Sequence, residues 1–217
     1  MKLLPLTRAG YLRLAILILI LLGLCGRFFL LPVWRYHAYR PQEGDIVFQS
    51  LPRASKLVRL IEGVTESPLS HCGVVVNRDG KWFVNEAIWD VHDTALLDWV
   101  RRGRGARFCV FRVKPDHRRH LPQFIAALQK YQGLRYDYDF ELDDGKLYCS
   151  ELVYKAFRDA SGIELGRLMK LGELNWKPHA DGLREYHGRD VPLDRVMITP
   201  RHLSEAEQLE KVYSAGL

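Results

Sequence analysis

The chain has 217 residues with a formal net charge of +6, and 47% of the residues are hydrophobic. It contains no internal repeat and no low-complexity stretch, which excludes repeat arrays and compositionally biased chains. After an apolar N-terminal segment about 180 residues remain, which is enough for one domain with a hydrophobic core.

The N-terminal segment predicts insertion into a membrane. Residues 14–26 carry no charge, and apolar character resumes after Arg27. The stretch 12–33 is long enough to cross roughly 30 Å of hydrocarbon, whereas 14–26 alone also suits the core of a signal peptide. A buried core helix is disfavoured, because the segment is apolar all round and precedes the rest of the domain.

The residues after the apolar core argue against cleavage. No small residues follow it at the spacing of a cleavage site, and Leu24 before Cys25 does not fit a lipoprotein site. We therefore predict an uncleaved anchor over 1–40, followed by one domain over 41–217.

Charges on the two sides of the anchor predict its orientation. Its N-terminal side carries the amino terminus, Lys2, Arg8 and Arg13, and its other side carries Arg27, Arg35 and Arg40. The positive-inside rule then favours a single span with the domain on the extracytoplasmic side. Arg27 can snorkel to the outer interface, where Trp34 and Tyr36 supply aromatic rings.

Hydrophobic periodicity over 41–217 predicts a mixture of strands and helices. Strands are predicted over 45–49, 70–77, 81–88 and 107–113 and near 194–198. Helices are predicted over 54–62 and 118–131, from Cys149, and from Thr199-Pro200, where a cap precedes a proline. This is an α+β pattern, in which a small antiparallel sheet packs against helices.

The second and third predicted strands form a hairpin that brings a histidine and a carboxylate together. A two-residue loop at Asp79-Gly80 places Gly73 opposite Glu86, with His71 one diagonal away. A four-residue loop over 77–80 would place His71 directly opposite Glu86, and a three-residue loop would separate the two faces. In both even registers the carboxylate can orient the imidazole and stabilise its charged form.

Basic residues are concentrated just before the fourth predicted strand. The cluster comprises Arg101, Arg102, Arg104 and Arg107, with Arg118 and Arg119 nearby. It fits a solvated loop, a contact with anionic lipid headgroups or a grip on nucleic acid. We expect no nucleic-acid binding, because the chain has no recognition motif and no basic–aromatic interleaving.

Cys149 lies where an acidic, irregular loop gives way to an amphipathic helix. It precedes Leu152 and Val153 by three and four residues, which places it on the buried face of the first turn. A thiol there is close to unpaired backbone N–H groups and the positive end of the helix dipole, which lower its pKa and favour the thiolate. The position predicts a nucleophile, although a small core thiol is the alternative.

The other cysteines and histidines predict no metal site. Cys25 lies in the apolar segment, while Cys72 and Cys109 lie in strands, where they are core thiols or, in an exported domain, a disulfide. No Cys-x-x-Cys pair or zinc-ligand spacing is present, and we predict no cofactor. Surface positions are predicted for His92, His117, His120, His179, His187 and His202.

Five segments occur in an order that resembles the circularly permuted papain-like amidases, relatives of NlpC-type cell-wall peptidases and of lecithin:retinol acyltransferase. They are Gly44-Asp45-Ile46-Val47-Phe48, Ser70-His71-Cys72-Gly73-Val74-Val75, Val84-Asn85-Glu86-Ala87, Tyr136-Asp137-Tyr138-Asp139-Phe140 and Tyr148-Cys149-Ser150-Glu151-Leu152-Val153. In unpermuted relatives the cysteine helix comes before the histidine strands. The resemblance covers about residues 43–160 and departs from the family at Cys72, a position that often holds an apolar strand residue.

The resemblance implies a permuted papain-like fold and assigns roles to particular residues. Cys149 would be the nucleophile, His71 the general base and Glu86 the orienting residue. Tyr136 and Tyr148 occupy positions where the family has aromatic residues that line the cleft.

The implied activity is that of a membrane-anchored cysteine hydrolase with a thioester acyl-enzyme. The bond is an amide or an ester, the substrate a peptide or a lipid, and acyl transfer remains open beside hydrolysis. The backbone N–H of Cys149 is expected to contribute to an oxyanion hole, with the second donor unassigned. The alternative is a catalytically silent binding module, tethered to the membrane, on the same fold.

Overall fold

The computed structural model describes residues 7–188 and 190–217. Its α-helices are α1 (Arg8–Cys25), α2 (Leu31–Ala38), α3 (Lys56–Thr65), α4 (Leu96–Arg102), α5 (Leu121–Lys130), α6 (Cys149–Ser161), α7 (Ala180–His187) and α8 (Pro200–Ser204). Its strands are β1 (Ile46–Gln49), β2 (His71–Arg78), β3 (Lys81–Ala87), β4 (Val91–Ala95), β5 (Phe108–Val113), β6 (Arg135–Tyr136), β7 (Lys146–Leu147), β8 (Met169–Lys170), β9 (Val196–Met197) and β10 (Leu209–Ala215). The predicted α+β class is confirmed.

The main sheet has six antiparallel strands in the order β10-β5-β1-β2-β3-β4. Arg78 pairs with Lys81, so the hairpin loop is Asp79-Gly80, and both loop residues have positive φ (52° and 79°). This geometry matches the primed turns that fit the twist of a hairpin. The two-residue register is therefore confirmed, and it places Glu86 diagonally across from His71.

Each face of the sheet has its own core, because neighbouring strand residues point to opposite sides. Phe48, Cys72 and Val74 pack with α5, α6 and α8 on one face. Val47 and Val75 pack with α4 and its Trp99 on the other. The sheet therefore separates the helix that begins at Cys149 from the helix that ends at Arg102, and the predicted site residues His71 and Glu86 lie at one end of the strands.

The possible disulfide between Cys72 and Cys109 is excluded by the register. Phe48 pairs with Cys72 on one side and with Cys109 on the other, so the two cysteines lie two strand spacings apart. That separation is about 10 Å, whereas the Cα atoms of a disulfide lie within about 7 Å of each other. Both thiols are free and buried.

Several elements differ from the sequence-based predictions. The strands β4 and β10 and the helices α4 and α7 were not predicted, and the predicted helix over 118–131 is a 3₁₀ segment (Pro115–His120) followed by α5. Strand β10 was missed because its polar alternation is that of an exposed edge, and its place is fixed by pairing with β5 at the far end of the chain. The surface prediction was wrong for His202, which is buried and hydrogen-bonded to Thr199.

The N-terminal segment is a long helix that joins the domain through a packed connection. Helix α1 is 18 residues long, with a mean hydropathy of 2.0 and no buried residue, and is the one described helix long and apolar enough to cross a membrane. A signal sequence would pass the same test. A π-helical turn, Gly26–Leu30, leads into α2, which packs against α4.

A buried carboxylate fixes the beginning of the domain. Asp45 accepts hydrogen bonds from Tyr39 Oη at 2.6 Å, from the Gln42 backbone N–H at 3.0 Å and from Arg112 Nε at 2.7 Å. Asp45 is fully buried, so these donors replace the water that its charge would otherwise need. These hydrogen bonds hold the segment between α2 and β1 against the domain.

Candidate active site

Cys149 is the first residue of α6, as predicted, and its side chain is buried. Tyr148 makes two hydrogen bonds that fix the start of this helix. Its backbone N–H donates to Glu151 Oε2 at 3.3 Å, and its hydroxyl oxygen accepts from the Ile198 backbone N–H at 3.0 Å. Ser150 Oγ donates to the Ile198 carbonyl at 2.8 Å. The thiol is therefore held at the positive end of a helix of 13 residues.

His71 and Glu86 meet at the end of the sheet. His71 Nε2 lies 2.5 Å from Glu86 Oε2, and both residues are buried. The diagonal contact passes over Gly73, where a Cβ would lie 2.5 Å from Val84 Cγ1 and 2.7 Å from the Asn85 carbonyl oxygen. Glycine is therefore needed for β2 and β3 to approach this closely.

Two further residues bind Glu86, and neither was predicted to do so. Arg102 Nη2 donates to both carboxylate oxygens, and Thr94 Oγ1 donates to Oε1 at 2.6 Å. Of the alternatives left open for the basic cluster, the solvated loop does not hold for Arg102, which pairs with Glu86, or for Arg104, which pairs with the buried Glu62. A carboxylate at the buried position of Glu86 needs cationic or N–H donors, so the sequence predicts that some donor is present. It does not indicate which arginine supplies it.

The electrostatics of the site favour a thiolate beside an imidazolium. Hydrogen bonding from the Cys72 thiol lowers the pKa of Cys149 well below its usual value, with further lowering by His71 and opposition from burial. Burial lowers the pKa of His71, but interactions with Cys149 and Glu86 outweigh it and raise that pKa to about 9. Burial raises the pKa of Glu86, but His71 and Arg102 bring it down to about 2. Glu86 is therefore a carboxylate at neutral pH.

Cys72 lies beside the nucleophile position. Burial and the neighbouring Cys149 raise the pKa of its thiol well above the usual value, so Cys72 stays protonated and donates to the Cys149 sulfur. The backbone N–H of Cys72 is a second donor to the same sulfur. Cys72, the position at which the sequence departs from the family, is therefore a direct contact of Cys149.

The two predicted cleft tyrosines have different surroundings. Tyr136 lines a pocket on the His71 side of the site, with its ring centroid 4.9 Å from that of Tyr138. Tyr148 lines a pocket on the Cys149 side, but only 2% of it is exposed and its hydroxyl holds the start of α6. The structure therefore places both beside the site, and Tyr148 also belongs to its scaffold.

Two apolar pockets meet at the site, one lined by Cys149 and the other by His71. Leu57 and Ile61 of α3 line both pockets. The pocket beside Cys149 is a narrow cleft with a cavity volume of about 60 Å³, and its mouth is open to solvent. Its apolar lining includes Leu60, Val64, Phe140, Leu171, Leu183, Met197 and Ile198. The pocket beside His71 also contains Ser55, Ser70, Arg102 and the exposed Trp89.

In this site a cysteine at a helix start faces a histidine and a carboxylate on neighbouring strands. The chain order is histidine, carboxylate, cysteine, and this arrangement defines a permuted papain-like protein. The chain belongs to the family described as permuted papain-like amidase enzyme, YaeF/YiiX, C92 family, which matches residues 40–213. It is therefore a member of a cysteine peptidase or amidase family, and the expected fold is confirmed.

Two relatives support this membership. The uncharacterized protein YiiX of Escherichia coli (strain K12) is 35% identical over 179 residues, which cover 81% of this chain and 87% of that protein. The crystal structure described as metalloprotein yiiX from Escherichia coli O157:H7, DUF1105, aligns with a TM-score of 0.74 and 31% identity, over 82% of this chain and 99% of that one.

The description of that relative as a metalloprotein raises the question of a metal site here. Within residues 7–188 and 190–217 no group of three or more His, Cys, Asp and Glu side chains is arranged to hold a metal ion. The described side chains therefore offer no set of three such donors for a metal ion.

Proposed function

We propose that the protein is a membrane-anchored cysteine hydrolase that cleaves an amide or ester bond of an apolar acyl group. The observation that carries this proposal is the buried arrangement of Cys149, His71 and Glu86 at the meeting point of two apolar pockets. The family membership supports hydrolysis by a cysteine, and the apolar lining supports the choice of acyl group.

The reaction follows from the protonation states of the site. The Cys149 thiolate attacks the carbonyl carbon, and the backbone N–H of Cys149 at the start of α6 donates to the developing oxyanion. The His71 imidazolium gives its proton to the leaving amine or alcohol as the carbonyl–heteroatom bond breaks, which leaves a thioester on Cys149. Neutral His71 then takes a proton from water, the hydroxide attacks the thioester, and the carboxylic acid leaves as the Cys149 thiolate is restored.

Glu86 acts through the imidazole. Because Nε2 of His71 is bound to Glu86, Nδ1 is the ring nitrogen that remains for Cys149 and the substrate. The carboxylate also stabilises the imidazolium, while Arg102 and Thr94 hold its two oxygens in place. Glu86 is therefore proposed as the orienting residue, in a triad with Cys149 and His71.

The positions of the two pockets assign the two halves of the substrate. The acyl group becomes attached to Cys149, so the apolar pocket beside Cys149 is its site. The leaving group receives a proton from His71, so the pocket that also contains Ser70 and Arg102 is its site. An apolar acyl chain in the first pocket and an anchor in the bilayer together favour a lipid-like substrate over a cell-wall peptide.

The acyl preference can be measured with a series of acyl p-nitroanilides of increasing chain length and a cell-wall peptide as competitor. We expect kcat/KM to rise with chain length, and the rise to be cut short in Leu57→Trp, because Leu57 lines both pockets. Val212→Trp, on the exposed surface of β10, is the matched control and should leave the series unchanged. A preference for the peptide would contradict the acyl assignment. Absence of turnover on every substrate, with Cys149 unreactive, would favour the silent binding module.

The anchor and its orientation are part of the same proposal. A phosphatase reporter that is active only after export, fused behind residue 41, is expected to be active, since Lys2, Arg8 and Arg13 precede the uncharged stretch 14–26 and favour an N-terminus in the cytoplasm. Resistance of the full chain to extraction from membranes at alkaline pH tests whether the segment stays uncleaved in the bilayer. An inactive reporter would place the domain in the cytoplasm.

A further inference from the structure

Three arginines converge near the C-terminal end of the predicted membrane span, 12–33. Arg35 Nη1 donates to the Gly105 carbonyl oxygen at 2.6 Å. Arg27 Nη2 lies 3.5 Å from the position that a Cβ on Gly105 would take. A Cβ on Gly216 would lie 3.5 Å from Arg35 Nη2 and 3.2 Å from Arg107 Cδ. Residues from the anchor, from α2 and from the loop before β5 thus form one basic cluster, Arg27, Arg35 and Arg107.

This cluster has no acidic partner among the described residues, although arginines close to it do. Arg101 pairs with Asp98, Arg104 with Glu62 and Arg112 with Asp45. Arg107 Nε donates to the Arg104 backbone carbonyl instead, and Arg35 Nε is buried without a hydrogen-bond partner in the described structure. Burial lowers the pKa of Arg35, and the charges of Arg107 and Arg27 add to that effect. Like charges held together with unused donors indicate a site for an anion.

The position of the cluster along the anchor identifies the anion. Arg27 comes two residues after the end of α1, and the large apolar side chains of Phe29, Leu30 and Trp34 are exposed on the same continuous helical segment. Exposed apolar residues with an interfacial tryptophan mark the depth at which hydrocarbon meets headgroups. Arginines at that depth meet lipid phosphates, and guanidinium groups bind phosphate with paired N–H donors.

We propose that Arg27, Arg35 and Arg107 bind the phosphate of an anionic membrane lipid. This inference rests on the proposed membrane anchor and is independent of the proposed catalysis.

The same contacts connect the lipid site to the catalytic end of the sheet. Arg104 in the loop before β5 donates from its backbone N–H to the Ser50 carbonyl at 2.7 Å, and Gln49 before it pairs with His71. A phosphate bound beside Gly105 would hold this end of the sheet at the membrane surface. The active-site pockets would then open close to the bilayer.

The test uses the full chain, delipidated in a neutral detergent, with native mass spectrometry as the readout. Phosphatidylglycerol and phosphatidylcholine are titrated separately, and inorganic phosphate is added as a competitor. We expect phosphatidylglycerol to bind at least tenfold more tightly than phosphatidylcholine, and millimolar phosphate to leave that preference intact. The triple variant R27Q/R35Q/R107Q is expected to lose the preference, whereas the control R101Q/R118Q/R184Q, whose three arginines are exposed and paired, is expected to keep it.

Equal binding of the two lipids by the wild type, an unchanged preference in the triple variant, or displacement by inorganic phosphate would overturn the proposal. If the triple variant does not fold, Arg27→Gln alone, which alters an exposed side chain on the anchor, is expected to weaken the preference at least threefold, and no change would count against the site. Extraction of the wild-type chain from membranes at alkaline pH distinguishes the two failures. A chain that is released lacks the anchor, whereas a retained chain without lipid preference lacks only the site.

Discussion

Replacing Glu86 by Gln is expected to move the alkaline limit of activity from about pH 9 to about pH 7. His71 and Glu86 are in contact at 2.5 Å between Nε2 and Oε2, and the pKa of His71 is raised to about 9. Charges whose centres lie about 4 Å apart interact by about 4 kcal/mol at an effective dielectric constant near 20, which corresponds to about 3 pH units. Cys149 is the larger of the two causes that raise this pKa, so we take a smaller loss, about 2 units, as the effect expected in Glu86→Gln.

The assay is the pH dependence of kcat/KM for an acyl p-nitroanilide, because the leaving amine needs the proton of the imidazolium and kcat/KM reports the free enzyme. A pH titration of the His71 ring signals by NMR gives the same shift without a substrate. Glu210→Gln, which removes an exposed carboxylate bound to Arg118, is the control and should leave the limit near pH 9. An alkaline limit that stays near pH 9 in Glu86→Gln would refute the role of Glu86.

Arg102 adds a second part to this prediction. In Glu86→Gln the Arg102 guanidinium keeps its charge but loses both carboxylate bonds, so it repels the imidazolium. The double variant E86Q/R102Q removes that repulsion and is expected to recover part of the lost pKa. If the alkaline limit of activity lay at a lower pH in the double variant than in Glu86→Gln, the arrangement around Glu86 would be contradicted.

The remaining predictions concern activity and stability. Cys149→Ser should abolish turnover and shift the melting temperature by only a few degrees, because the two side chains differ little in size; retained turnover in this variant would contradict the assignment. Gly73→Ala should destabilise the fold by about 1–3 kcal/mol and reduce activity, since its Cβ would meet Val84 and the Asn85 carbonyl, whereas Gly145→Ala, which meets no atom closer than 3.6 Å, should behave as wild type in denaturant titrations. The stability that the His71–Glu86 pair contributes should be present between about pH 4.5 and 6.5. It should be lost as the pH rises through about 9, where His71 deprotonates, or falls through about 2, where Glu86 is protonated. Equal unfolding free energies of wild type and E86Q across that window would argue against the pair.

The hairpin and the cysteine helix could be predicted because their signals are local. Asp79-Gly80 can adopt positive φ at both positions, which fixes the register and therefore the shared face of His71 and Glu86. Cys149 could be placed at a helix start from the apolar spacing that follows it. These features depend on residues a few positions apart, so periodicity and turn chemistry are sufficient.

The contacts that complete the site could not be predicted because they join distant segments. Arg102 reaches Glu86 only because α4 packs on the face of the sheet opposite α6, and neighbouring arginines in the sequence have other partners. Cys72 reaches Cys149 because the alternation of β2 points it towards α6, which depends on the order of the strands. The clustering of Arg27 with Arg107 likewise depends on how α2 packs against α4.

The most direct test of the central claim is to trap the acyl group on Cys149. The full chain is incubated with an extract of membrane lipids, quenched in acid, digested and analysed by mass spectrometry, with Cys149→Ala as the control. We expect an apolar acyl group attached to the Cys149 peptide, removable by neutral hydroxylamine as a thioester and absent from the variant. An unmodified Cys149 peptide together with hydrolysis of the same lipids, or continued hydrolysis by Cys149→Ala, would contradict the account.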